Sequence, residues 1–201
     1  MKTINEIEEE INELKKKRNR GEIGELMIRS SLASFCASSK AHLLNNITVG
    51  VRDGTTQIDH ILITKKGILV IETKHYSGWI FGEKRQKKWT QIIYKKKCSF
   101  QNPLHQNYGH TVAVQEQLKF IPKEKIRGIV VFTKDAEFKT KKPGDVVFFK
   151  DLFKYLMEMN FGVINEENMY MAIGYLEYRR FQLTEETDVD HQKHINQKFM
   201  N

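Results

Sequence analysis

Residues 56–74 read TQIDHILITKKGILVIETK, and the reading of this stretch decides the fold. Thr56 to Thr64 and Ile68 to Lys74 are β-rich runs, and Lys65-Lys66-Gly67 between them is the kind of break that closes a hairpin. Strand alternation puts Gln57, Asp59, Ile61 and Ile63 on one face, and Ile68, Val70, Glu72 and Lys74 on one face of the next strand. With Lys65 and Lys66 as a symmetric tip, Asp59 falls opposite Glu72 and Gln57 opposite Lys74. A bulge at Gly67 would instead set Asp59 against Thr73. The symmetric register is the expectation, because a lone Asp and a lone Glu in apolar strands would each need a separate partner.

Two carboxylates on neighbouring strands are hard oxygen ligands for a divalent cation. An ammonium two residues along, at Lys74, could orient a water or steady developing charge. The same three residues could equally form an ion-pair cluster that merely closes a strand end. Crowding by Asp59 would make Glu72 self-repelling without metal, so Glu72→Gln could gain stability.

Working outward, residues 3–18 place Ile4, Ile7, Ile11 and Leu14 at helical steps, giving a charged amphipathic helix over 1–20. Its narrow stripe fits packing on its own domain or a short homodimeric coiled coil. Lys15, Lys16, Lys17, Arg18 and Arg20 read as a solvated face. A helix over about 21–38 carries Ile23, Leu26, Met27 and Leu32, and a strand over 42–49 leads to a turn around Gly50, Asp53 and Gly54. Downstream come a second hairpin within 77–97, a helix over 105–120 opened by Asn102-Pro103, strands at 128–133 and 146–149, and helices from Asp151 and over 166–180. Residues 21–183 read as one α/β domain, and the polar stretch 184–201 as a flexible tail.

The chain has 201 residues, 40% hydrophobic and 29% charged, with a net charge of +8 and a pI near 9.3. That composition supports a packed core. The basic balance suits a polyanion, and equally a soluble Lys-rich protein. Cys36 and Cys98 form no CxxC pair, which removes a zinc ribbon or dithiol site and fits reduced thiols in a cytoplasmic protein. No signal core, membrane span or phosphate-cradling Gly-rich loop is visible. Ser30-Ser31 and Ser38-Ser39 have no nearby histidine base. His60 and His75 fall on the sheet face away from the acids, as packing or surface residues. His105 and His110 are five apart, off the four-residue step of a two-ligand helix face.

Gly21-Glu22-Ile23-Gly24-Glu25, Gln57-Ile58-Asp59-His60, Gly67 through Ile71-Glu72-Thr73-Lys74, Gly78 and Asn102-Pro103-Leu104-His105-Gln106 follow in this order. Together they resemble the nuclease-related domain (NERD) family, which looks like a branch of the PD-(D/E)xK superfamily of restriction endonucleases and junction resolvases. The resemblance covers about residues 18–120. It implies a restriction-endonuclease-like α/β core, with a central mixed β-sheet flanked by helices, here carrying an N-terminal helical extension. It implies catalytic positions at Glu25, Asp59, Glu72 and Lys74, with Gln106 as a supporting polar residue. Asp59 and Glu72 become metal ligands, and Mg2+ (or Mn2+) the cofactor. Ile58 stands where the superfamily's name has proline.

Lys84, Arg85, Lys87, Lys88, Lys95, Lys96 and Lys97 surround Trp89 and Tyr94 with no acid among them. Interleaved cations and aromatics suit a nucleic-acid groove. They also suit an edge strand guarded by lysines. Lys139, Lys141 and Lys142 read as plain surface. The function expected is metal-dependent hydrolysis of nucleic-acid phosphodiesters, DNA before RNA and with no membrane partner. The alternative is a non-catalytic nucleic-acid-binding module of the same fold.

Overall fold

The expected hairpin forms as β2 (Gly54–Thr64) and β3 (Gly67–Lys74), running antiparallel. The computed structural model describes residues 20–52 and 54–183, with Glu6, Glu9 and Asn12. Most of the expected helix at 3–18, the basic run Lys15 to Arg18, Asp53 of the turn and the tail from 184 lie outside the described residues.

Thr64 pairs with Gly67 and His60 with Ile71, the register of a symmetric loop at Lys65-Lys66. Thr64 Oγ1 braces the loop, accepting from the Lys66 amide at 3.0 Å and donating to the Gly67 carbonyl at 2.9 Å. The alternative bulge at Gly67 is absent. Its φ of +130° is backbone that glycine reaches without a Cβ clash.

β1 (Ala41–Val51) pairs antiparallel with β2 on the outer side. β7 (Ile126–Phe132) lies parallel to β3, and β9 (Val146–Phe148) parallel to β7. The resulting sheet has the order β1-β2-β3-β7-β9, with β3 at its centre. A strand covered on both faces reads as an unbroken apolar run, and Ile68 to Ile71 is such a run.

The helices are α1 (Arg20–Ser38), α2 (Pro103–Gln117), α3 (Phe149–Glu158) and α4 (Glu166–Leu183). Ile61, Ile63, Ile68 and Val70 pack with Val114 of α2 and with Met169 and Leu176 of α4. Leu62, Leu69 and Ile71 pack on the other face with Ile28 and Leu32 of α1 and Leu152 and Leu156 of α3. This is the mixed α/β, nuclease-like core expected. Among the described residues no helix is long and apolar enough to cross a membrane.

The hairpin expected within 77–97 forms, antiparallel, and is part of a second sheet. β4 (Gly78–Phe81), β5 (Lys88–Ile93), β6 (Lys96–Gln101) and β8 (Ala136–Phe138) take the order β6-β5-β4-β8. Neither β6 nor β8 was expected. β6 is exposed at nearly every position and shows no alternation, and β8 is three residues long. The sheets are joined side by side. β3 runs on into β4 and β7 into β8, and both pairs, β3 with β7 and β4 with β8, are parallel. Between the sheets the Thr133 amide donates to the Lys74 carbonyl at 3.1 Å, and the Gly78 amide to the Asp135 carbonyl at 2.9 Å.

Strict alternation fails at Asp59. Ile58 and Ile61 are three residues apart yet share one core cluster, so β2 turns over between them. The β1–β2 ladder is interrupted at the same point, opposite Asn46, which has a positive φ of 49°. Gln57 is therefore not opposite Lys74 as expected. It pairs with Thr48, beyond the end of the β2–β3 ladder, and is exposed.

Candidate active site

The β2–β3 ladder stops at the His60–Ile71 pair. One residue further, Asp59 Oδ2 accepts from the Thr73 amide at 2.7 Å, so a side chain replaces the next rung. This anchors the Asp59 carboxyl beside Glu72 at the C-terminal end of the central strand.

Glu72 is only 2% exposed. Lys74 Nζ donates to Glu72 Oε1 at 2.5 Å and to Gln106 Oε1 at 3.2 Å. His110 Nδ1 stands 3.3 Å from Glu72 Oε2, too oblique for a well-formed hydrogen bond. Burial pushes the Glu72 carboxyl up, but His110 and Lys74 outweigh it and hold it below the ordinary carboxylate value. Burial pulls the Lys74 ammonium down, while the Glu72 and Asp59 charges outweigh that and raise it. Asp59 takes the opposite part. Burial first and the Glu72 charge second drive it up to about 8, against the lowering effect of the Thr73 amide. Burial, then Glu72 and Glu22, also raise Glu25. The self-repelling member of the group is thus Asp59, and the expectation that named Glu72 is corrected: Lys74 and His110 stabilise the Glu72 charge.

Glu25, Asp59, Glu72 and Lys74 line one cleft of about 330 Å3, along with His75, Tyr76, Ser77, Gln91, Ile93 and Lys134. The structure therefore brings together the four residues expected at catalytic positions, with Gln106 bonded to one of them. Glu25 arrives from α1, which packs close to the sheet because Gly24 lacks a side chain. A Cβ there would sit 2.8 Å from His75 Cβ and 2.9 Å from Thr133 Oγ1. In an open helix interior, Gly→Ala gains about 1 kcal/mol. Here Gly24→Ala is expected to lower the melting temperature instead, since overpacking costs ~1–3 kcal/mol. A higher melting temperature would mean that α1 does not depend on this contact.

α2 is seated by Asn107, whose Nδ2 donates to the Val70 carbonyl at 3.2 Å and the Ile129 carbonyl at 2.7 Å. A Cβ at Gly128 would lie 2.4 Å from Thr111 Oγ1 and 2.8 Å from Asn107 Nδ2, so this glycine leaves the space the helix uses. That seat carries Gln106 and His110 to the acidic cluster. Sequence reasoning misses His110, because the five-residue step from His105 speaks only to a two-ligand helix face. The signal that could have found it is the polar set Gln106, Asn107, His110 and Thr111, which sits among apolar Leu104, Ala113 and Val114.

His60 and His75 part company. His60 is buried, with Nδ1 2.7 Å from Asn45 Oδ1. Burial, with the Arg29 charge second, drives it down to about 3, so its ring is neutral. That is the packing histidine expected. His75 lines the cleft and lies 2.7 Å from Thr133 Oγ1.

The basic residues form two groups rather than one patch. Lys95, Lys96 and Lys97 lie at the tip of the β5–β6 hairpin, beside the cleft-lining Ile93. Lys84, Arg85, Lys87 and Lys88 lie at the other end of β5, where Lys84 pairs with Asp145 at 2.7 Å. Trp89 is no stacking platform. It is fully buried, set edge-on to Phe100 and Phe138, and its indole donates to the Glu83 carbonyl.

A mixed α/β core with two carboxylates and a lysine meeting at the end of its central strand is consistent with a nuclease-like fold. The nuclease-related domain (NERD) model matches residues 20–133, more than half of the chain, and the chain belongs to that family. The chain is also similar to an uncharacterized protein of Bacillus anthracis, 38% identical over 146 residues, which are 67% of this chain and 65% of that protein. No solved structure matches the chain.

Proposed function

We propose that the protein is a divalent-metal-dependent nuclease that hydrolyses phosphodiester bonds of nucleic acid, DNA before RNA. The observation that carries this reading is the convergence of Glu25, Asp59, Glu72 and Lys74 on one cleft, in a chain of the nuclease-related family.

The donor set suits Mg2+ or Mn2+. Glu72 Oε2 is buried without a well-formed hydrogen bond, and Asp59 holds a proton far above its ordinary range, as expected of paired carboxylates short of positive charge. Among the described residues no three His, Cys, Asp or Glu side chains form a ready-made cage. A Mg2+ site needs no such cage, since the ion keeps several waters and binds through one or two carboxylates. Asp59 and Glu72 would hold the ion, which supplies Lewis-acid polarisation of a phosphoryl oxygen. Lys74, fixed between Glu72 and Gln106, would place its ammonium against charge developing on the phosphate. Glu25 adds a carboxylate from the α1 side.

The test is a cleavage assay on single-stranded, duplex and branched DNA with Mg2+, Mn2+ or chelator. Cleavage is expected with either ion and none with chelator. Glu72→Gln should lower the rate at least ~10²–10³-fold. Wild-type protein that cuts none of the substrates with either ion would refute the reading.

A further inference from the structure

The tip of the β5–β6 hairpin is not explained by the fold. Tyr94 is 97% exposed. It is the first residue of the two-residue loop closed by the Ile93–Lys96 pair, and its φ is +52°. Glycine, asparagine or aspartate ordinarily fills such a position, and a bulky residue there carries strain. A ring that packs on nothing does not repay that strain in stability. Strain of this kind concentrates at functional positions.

The location gives the ring a use. Ile93, the preceding residue, and Gln91 line the cleft that holds Asp59 and Glu72. Lys95, Lys96 and Lys97 follow Tyr94 and are exposed. Edge guarding would account for the lysines but not for the tyrosine. Lysines bind phosphates whatever the base sequence, and an exposed aromatic ring stacks on a base. In continuous duplex the base faces are covered by their neighbours. A base face open to Tyr94 therefore belongs to an unpaired nucleotide or to the last pair at a duplex end, and a fork compared with a blunt duplex tells the two apart.

We infer that Tyr94 with Lys95–Lys97 forms a base-stacking wedge, and that the DNA taken by this cleft carries an unpaired segment beside a duplex, as in a fork, flap or overhang. The substrate assignment rests on the nuclease reading, but the binding does not.

The experiment therefore measures binding, with chelator present so that no turnover enters. Fluorescence anisotropy compares a forked DNA with a blunt duplex of the same sequence, for wild type, Tyr94→Phe and Tyr94→Gly. Glycine suits the loop, so Tyr94→Gly should melt at or above the wild-type temperature and removes only the ring. The wild type should prefer the fork by ~5- to 150-fold, the range of stacking one base on an aromatic ring. Tyr94→Phe should keep that preference. Tyr94→Gly should lose it while retaining duplex affinity. Changing Lys95, Lys96 and Lys97 to Ala should weaken both DNAs and flatten the salt dependence, by ~0.7–0.9 in log–log slope for each phosphate no longer neutralised. Absence of DNA binding, equal affinity of the wild type for fork and duplex, or a fork preference that survives in Tyr94→Gly would overturn the wedge. Fork preference through Tyr94 without cleavage of any DNA would instead refute the nuclease reading and leave a binding module.

Discussion

Lys74→Met is expected to abolish cleavage and lower stability together. The ammonium is the well-formed hydrogen-bond partner of a carboxylate that is only 2% exposed, and it also bonds Gln106. Removing it leaves Glu72 facing His110 alone, at an oblique 3.3 Å. Stranding one member of a buried pair costs ~3–5 kcal/mol. For a domain of this size that is roughly a 6–20 °C fall in melting temperature. The cleavage rate should fall by at least ~10²–10³-fold, since charge on the reacting phosphate is deprived of its fixed cation. Adding Glu72→Gln to Lys74→Met should recover part of the stability, because the stranded charge is then gone, but no activity. Thermal melts beside the cleavage assay decide the matter. A Lys74→Met protein that melts with the wild type would show that Glu72 does not depend on the ammonium for its burial.

Asp59→Asn should do the reverse to stability and the same to activity. The Asp59 carboxyl has a folded value of about 8 against an ordinary 3.8, with burial the main cause and the Glu72 charge the second. A group raised in the folded state binds its proton more tightly there than when unfolded. Its stabilising effect is complete below the unfolded value and is lost as pH climbs through the folded one. Without metal, wild-type stability should therefore decline from about pH 4 to about pH 8 through this group. An Asn at 59 can still accept from the Thr73 amide, and it carries no charge. The variant should melt above the wild type in chelator, by a margin that grows across that pH window. Mg2+ should raise the wild-type melting temperature and leave that of Asp59→Asn unmoved. A variant that melts below the wild type at pH 8 in chelator would contradict the strain assigned to Asp59.

What the sequence disclosed, and what it hid, follows from how local each feature is. The register of β2 and β3 could be read because a two-residue loop ties Thr64 to Gly67 within a few residues. With that register come Asp59, Glu72 and Lys74 at one end of one hairpin. Gln57 was misplaced because alternation assumes a regular strand, and β2 turns over at Asp59 opposite the left-handed Asn46. β6 left no trace because both its faces are largely exposed, so no hydrophobic period marks it. Trp89 looked like a partner for bases because lysines flank it. Its burial depends on Phe100 and Phe138, the second far along the chain. His110 was missed for the same reason: its value lies in meeting Glu72, 38 positions away, across a helix–sheet contact that only the assembled fold reveals.

The two sheets can be regarded as one folded ribbon. Strands β3 and β7 leave the first sheet together and enter the second together as β4 and β8, so the passage between them is a crease two strands wide, stitched by backbone hydrogen bonds at Thr133 and Gly78. His75, Tyr76, Ser77 and Lys134 on that crease are also walls of the cleft. Asp59, Glu72 and Lys74 ride on one panel, and the Tyr94 hairpin rides on the other. Val130, Phe132 and Val146 of the first panel share one buried cluster with Ile80 and Trp89 of the second, so the crease is filled and the gap between the acidic cluster and the Tyr94 hairpin is spanned by packed side chains. Each panel therefore supplies part of the cleft wall, Asp59 and Glu72 from one and Gln91 and Ile93 from the other.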